Sequence, residues 1–155
     1  MDKLRLFLAT MVLALLAVAA AYALDALPKA PPVPRDNPMT PAKVELGKKL
    51  YFDPRLSSTG TVSCNTCHDV RKAGDDGLPV SVGVEGKKGT RSAPTVWNAA
   101  FLSVQFWDGR SPNLEDQAKG PIVNPVEMGL PDHAAMLRKV MEIPAYVEEF
   151  RQVFG

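Results

Sequence analysis

The sequence is poor in the residues that most often carry redox and metal chemistry: it has two cysteines and two histidines. It also has almost no excess of charge, with 18 basic against 17 acidic side chains. That balance excludes a general nucleic-acid binder, which needs a strong basic surplus. There is no internal repeat and no convincing pair of strands, which leaves a mostly α class rich in loops. At 155 residues the chain suits one compact domain better than two. Fourteen prolines favour turns and short elements over long regular helices.

Long apolar runs are also missing, except at the N-terminus. Lys3 and Arg5 precede an apolar stretch from Leu6 to Ala21, and Ala21-Tyr22-Ala23 has the A-x-A form of a cleavage site. This is the layout of a secretory signal peptide over residues 1–23. The run falls short of the roughly 20 residues of a spanning helix, and no basic stop-transfer segment follows it. The expectation is a periplasmic protein with no stable membrane span after cleavage. Its charge is then balanced, because Asp2, Lys3 and Arg5 leave with the leader.

Residues 24–39 form a proline-rich extended arm, and 40–155 the folded domain. Thr40-Pro41 pairs an N-cap with a proline at the first helical position, and Val44, Leu46, Leu50 and Tyr51 follow at helical spacing. Asp53-Pro54 ends that helix. Residues 74–89 are glycine-rich and predict a long irregular loop. Their Gly83-to-Thr90 stretch only superficially resembles a phosphate-binding loop, since no lysine follows Gly89. Short helices are predicted over 94–101 and 111–120, with loop over 121–131. Asp132 caps a helix bearing Met136, Leu137, Val140 and Met141. Pro144 opens a last one with Tyr146, Val147, Phe150 and Phe154 on its apolar face. So much loop around so small a core suggests that something besides side chains fills the centre.

The two cysteines stand in Cys64-Asn65-Thr66-Cys67-His68, the C-x-x-C-H pattern. On a short helix these positions share one face. Two thiols so placed can form thioethers with the vinyl groups of one haem c, while His68 reaches the iron as axial ligand. A redox C-x-x-C lacks its usual βαβ cytosolic context. Zinc would need further ligands, of which only His133 is in prospect. A disulfide across two intervening residues is strained. An electron carrier would close the iron's other face, with Met128 or His133 as candidates, whereas a peroxide enzyme would leave that face open or openable. Met136 and Met141 read as core.

Several ordered motifs resemble the N-terminal haem domain of bacterial di-haem cytochrome c peroxidases. They are Leu46-Gly47-Lys48-Lys49-Leu50-Tyr51-Phe52-Asp53-Pro54-Arg55-Leu56-Ser57, Ser63 with the C-x-x-C-H, and Asp75-Asp76-Gly77-Leu78-Pro79. Ala93-Pro94-Thr95-Val96-Trp97-Asn98, Gln105-Phe106-Trp107-Asp108-Gly109-Arg110, Gln117-Ala118-Lys119-Gly120-Pro121 and Val126-Glu127-Met128 continue the series. The resemblance spans Thr40 to the C-terminus. It implies an all-α, cytochrome c-like fold and reduction of hydrogen peroxide to water with two electrons and two protons. It further implies Glu127 as the catalytic acid/base, Gln117 as an amide orienting peroxide, and Trp107 on the electron path between two haems. The implied electron donor is a small cytochrome c or cupredoxin.

Three departures qualify what the resemblance implies. The family carries a second haem domain, and the segment ends at Phe154-Gly155, about where that domain begins. The expectation is a fragment of a di-haem enzyme, or a partner haem on another chain. Val84 stands where the family has a switchable distal histidine, which predicts an iron that is five-coordinate or water-bound at rest. Ser92 stands where the family's inter-domain calcium site has an asparagine, which counts against calcium. The alternatives to the enzyme are a mono-haem electron carrier and a remnant without selected activity.

Overall fold

The structure, a computed structural model, describes residues 3–21 and 26–155. Its contacts divide into two units, residues 1–30 and 31–155. The first unit contains helix α1 (Lys3–Ala21), which carries no acidic residue in its first turn. Residues 22 and 23 of the expected cleavage site lie outside the described residues. Among the described residues no helix is long and apolar enough to cross a membrane.

The second unit is helical and loop-rich, as expected. Its order is α2 (Pro41–Phe52), α3 (Cys64–Cys67), α4 (Leu114–Gln117), α5 (Lys119–Val123), α6 (His133–Met141) and α7 (Pro144–Phe154). Among the described residues β-structure is limited to three isolated bridges, Asp69 with Asp75, Val82 with Lys88 and Gln105 with Ser111. Helix α2 starts as its sequence predicts: the Thr40 side chain accepts the Lys43 N–H at 3.2 Å and Pro41 opens the helix. Helix α6 is capped by Asp132, which accepts the Ala135 N–H at 2.6 Å, and Pro144 opens α7.

The structure corrects the short elements between. Residues 94–101 form no α-helix, only a 3-10 turn over Ala99–Phe101. The helix predicted over 111–120 is two shorter ones, capped by Asn113 rather than opened at Ser111-Pro112, and the second runs on to Val123 into the predicted loop. Gly120 and Pro121 sit inside α5 because its following loop folds back: the Met128 N–H donates to the Pro121 carbonyl and the Leu130 N–H to that of Ile122. Tertiary contact here overrides the breaker residues.

Leu46, Leu56, Val62, Val84, Met128, Val140 and Tyr146 form the buried core, with Leu50, Ile122, Met136, Ile143, Phe150 and Val153 packed around it. Met136 is core as expected, but Met141 is 71% exposed, because it lies on the face of α6 away from that cluster. Val44, Val147 and Phe154 are likewise outward, so the apolar stripes of α2 and α7 are only partly buried.

A charged side chain is buried beside this core. Asp53 is buried and receives the Arg55 Nε at 2.9 and 3.0 Å and the buried Tyr146 hydroxyl at 2.7 Å. The turn after α2 is thereby fastened to α7. These donors, Arg55 first, hold the Asp53 carboxyl down at about 2 against an ordinary 3.8. Its contribution to stability is therefore full above the ordinary carboxylate value and drains as pH falls towards about 2. Tyr146→Phe should lower stability by about 1–2 kcal/mol in urea unfolding at neutral pH. The deficit should shrink on acidification through that window.

Candidate active site

The site is built on α3. The Ser63 N–H donates to Thr66 Oγ1 at 3.0 Å and closes the single turn, so Cys64 and Cys67 fall on one side. His68 ends the helix, its N–H on the Cys64 carbonyl at 3.0 Å. The His68 carbonyl takes the Tyr51 hydroxyl at 2.6 Å, which ties the turn to α2. Burial, with the nearby Cys64 and Asp69, pushes that phenol up to about 12, so it stays a donor. The His68 Nδ1 lies 2.9 Å from the Pro94 carbonyl. A carbonyl only accepts, so Nδ1 carries the proton and Nε2 keeps its lone pair for a metal.

Both cysteines are free and half-buried. Burial pushes both thiols above their ordinary value; Asp76 and Glu127 add to the effect at Cys67. The Ser81 hydroxyl lies beside Cys67 and opposes that rise. Two reduced thiols one turn apart and an imidazole with Nε2 presented are a donor set that fits covalent haem. They do not fit a zinc cage: among the described residues no three or more His, Cys, Asp or Glu side chains could share an ion.

Glu127 lies near this turn, close enough for its charge to act on Cys67 and for that of His68 to act on it. It lines a cavity of about 380 Å³ together with Phe106, Arg110, Pro121, Asn124 and His133. Burial raises the Glu127 carboxyl above its ordinary value, and His68, Arg110 and Asn124 oppose that rise. Asn124 Nδ2 donates to Glu127 Oε1 at 2.7 Å, which leaves Oε2 for proton exchange.

The Glu127 backbone is held by the glycine-rich loop. The Val84 N–H donates to the Glu127 carbonyl at 2.9 Å. Gly83 lies so close that a Cβ there would stand 2.1 Å from the Val126 carbonyl oxygen and 2.8 Å from the Glu127 Cα. Only glycine allows this approach. Val84 itself is 1% exposed and packed in the core.

The remaining predicted residues are placed differently. Met128 is 5% exposed within the core cluster, and His133 is exposed with Nε2 at 3.0 Å from the Lys119 carbonyl. Both are engaged by the protein. Gln117 ends α4 half-buried; its neighbours Asp116 and Lys119 line the Glu127 cavity, and it does not. Trp107 is 61% exposed, with its indole N–H on the Ser92 carbonyl at 2.9 Å. Sequence reasoning missed the roles of Pro94, Asn124 and Phe106. Their motifs were visible, but carbonyl direction and side-chain reach were not.

The matching family model is that of di-haem cytochrome c peroxidase, which covers residues 41–155. The chain belongs to this family. It is 50% identical over 120 residues to the cytochrome c551 peroxidase of Pseudomonas aeruginosa, covering 77% of this chain and 34% of that one. It is 43% identical over 128 residues to the methylamine utilization protein MauG of Methylorubrum extorquens, covering 83% and 36%. Among solved structures, a MauG-like protein associated with microbial copper homeostasis superposes with a TM-score of 0.75 at 34% identity, covering 86% and 39%. The di-haem peroxidase BthA of Burkholderia thailandensis gives 0.70 at 28%, covering 76% and 33%. The chain thus spans about a third of the length of the curated relatives it matches. The fold is the all-α, cytochrome c-like one, and c-type haem is the family's cofactor.

Gly83→Ala should force the loop off Val126-Glu127. The expected result is a loss of about 1–3 kcal/mol in stability and faster amide exchange at Val84. Haem staining should stay intact, since Cys64, Cys67 and His68 are untouched.

Proposed function

We propose that this chain is the peroxide-reducing half of a periplasmic di-haem peroxidase, carrying one covalent haem c and using Glu127 as its acid/base. The observation that carries this reading is a half-buried carboxylate in a cavity wall, near the C-x-x-C-H turn, with one oxygen left unbonded by Asn124. Cys64 and Cys67 would hold the porphyrin and His68 Nε2 the iron. When bound, the haem supplies a redox-active iron able to coordinate peroxide.

Glu127 Oε2 takes a proton from one oxygen of hydrogen peroxide and returns it to the other, so that the departing oxygen leaves as water. Asn124 keeps the carboxyl turned for this by holding Oε1. Gln117, from the end of α4, would orient peroxide without titrating. Two electrons arrive from a small cytochrome c or cupredoxin by way of a second haem domain, in this polypeptide or another. Trp107, exposed on the surface, would take part in that handover. Calcium is not assigned a role. Residues 1–23 are read as a signal peptide, 24–39 as an extended arm and 40–155 as the haem domain.

The carrier reading loses support because its two candidate sixth ligands are engaged elsewhere, Met128 in the core and His133 at the Lys119 carbonyl. Val84 offers no ligating atom. The ferric haem-loaded chain should therefore be high-spin or water-bound at rest; a low-spin spectrum with a nitrogen or sulfur ligand would overturn that. Glu127→Gln should slow the reaction with hydrogen peroxide by about 10²–10⁴-fold while haem attachment is kept. An unchanged rate would favour the electron carrier.

A further inference from the structure

The wall of the Glu127 cavity contains a half-exposed cation with two protein partners. Arg110 lines the same cavity as Glu127. Its Nη1 donates to Asp108 Oδ1 at 2.7 Å and to Oδ2 at 3.0 Å, and its guanidinium lies 3.4 Å from the centroid of the Phe106 ring. Asp108 is held from the other side by Arg91 Nη1 at 3.0 Å. One carboxylate thus serves two guanidiniums, and the trio keeps a net positive charge.

The Phe106 ring is fixed in turn. Its backbone is in the left-handed region at φ 66°, uncommon for a bulky side chain. The Gln105–Ser111 pairing and Gly109 at φ 69° turn the chain back beneath it. The ring rests on Gly120 of α5, where a Cβ would stand 3.2 Å from Cζ. Arginine stacked on an aromatic face and clamped by a carboxylate loses little freedom on acting as a charge.

We propose that Arg110 is a positioning residue for Glu127, a cation anchored by Asp108 and Phe106 in the cavity wall that keeps the carboxylate ionised and able to accept a proton. The proposal rests on the reading of Glu127 as the proton acceptor. The other charged groups near Glu127 are accounted for. His68 is neutral once it ligates a metal. Lys119 pairs with Asp116 at 3.8 Å, and the His133 ring is bonded to the Lys119 carbonyl. Cys67 carries no charge at neutral pH, since burial raises its thiol. Burial alone favours a protonated Glu127, which cannot accept a proton, and Arg110 is the protein cation that opposes it.

The test uses the haem-loaded full chain. The rate of reaction with hydrogen peroxide is followed against pH, and the Glu127 carboxyl is titrated by infrared difference spectroscopy as the band absent from Glu127→Gln. Arg110→Gln should move the rising limb and the carboxyl midpoint to higher pH by about one unit, with the high-pH plateau nearly kept. Arg110→Lys should restore most of the shift, because it returns the charge. If Arg110→Gln does not fold, Phe106→Leu carries the test: it removes the ring beneath the guanidinium without changing any charge and should shift the midpoint upward by less. A midpoint unmoved in the folded variants, with the limb lost in Glu127→Gln, overturns the role of Arg110. A limb that survives in Glu127→Gln overturns the reading of Glu127 instead.

Discussion

The close backbone approach of Gly83-Val84 to Val126-Glu127 joins the two halves of this site. On one side of it lies the loop that follows the C-x-x-C-H turn, and on the other the segment that carries the carboxylate. The contact is a single hydrogen bond, Val84 N–H to the Glu127 carbonyl at 2.9 Å, made possible by a glycine with no room for a Cβ. Met128 and Val84 then enter the same core cluster on the far side of that backbone. The apolar core and the Glu127 carboxylate are therefore fixed by neighbouring residues of one short segment. Displacing either displaces the other, because a close-packed interior does not deform gradually.

A second constraint is the orientation of His68. Its ring is held through Nδ1 by a loop carbonyl from Pro94, and its backbone carbonyl by Tyr51 of α2. Neither partner is near it in sequence. The helix that presents the two thiols is a single turn, too short to hold its own shape, so these tertiary bonds decide where the imidazole points. The Asp53–Arg55–Tyr146 network secures α2 itself against α7.

Loop content follows from the same logic. Much of the described second unit has no regular structure, yet its loops carry the groups that matter: Ser81, Gly83, Pro94, Phe106, Asn124 and Glu127 all lie outside helices. Their backbone polar groups are satisfied by isolated bridges and turn bonds such as Gly83 N–H to Lys87 and Gly89 N–H to Ser81. Function sits on loops because loops can present backbone carbonyls and converging side chains from distant parts of the chain.

The motif of Cys64, Cys67 and His68 was legible from the sequence, since its chemistry depends on spacing within one turn. So were the starts of α2, α6 and α7, where Thr40, Asp132 and the prolines act on their own neighbours. Glu127 was reached only through resemblance, as nothing local marks one glutamate among many. Met128 and His133 could not be judged from sequence, because whether a side chain is core, surface or ligand depends on what packs against it. The ends of the short helices were misplaced for the same reason: Gly120 and Pro121 break a helix in isolation, and the returning segment at Met128 and Leu130 holds them in one. Local covalent spacing and capping determined the C-x-x-C-H turn and the longer helices. Long-range hydrogen bonds and burial decided which histidine nitrogen is presented, which carboxylate stands near it and which cation shares its cavity.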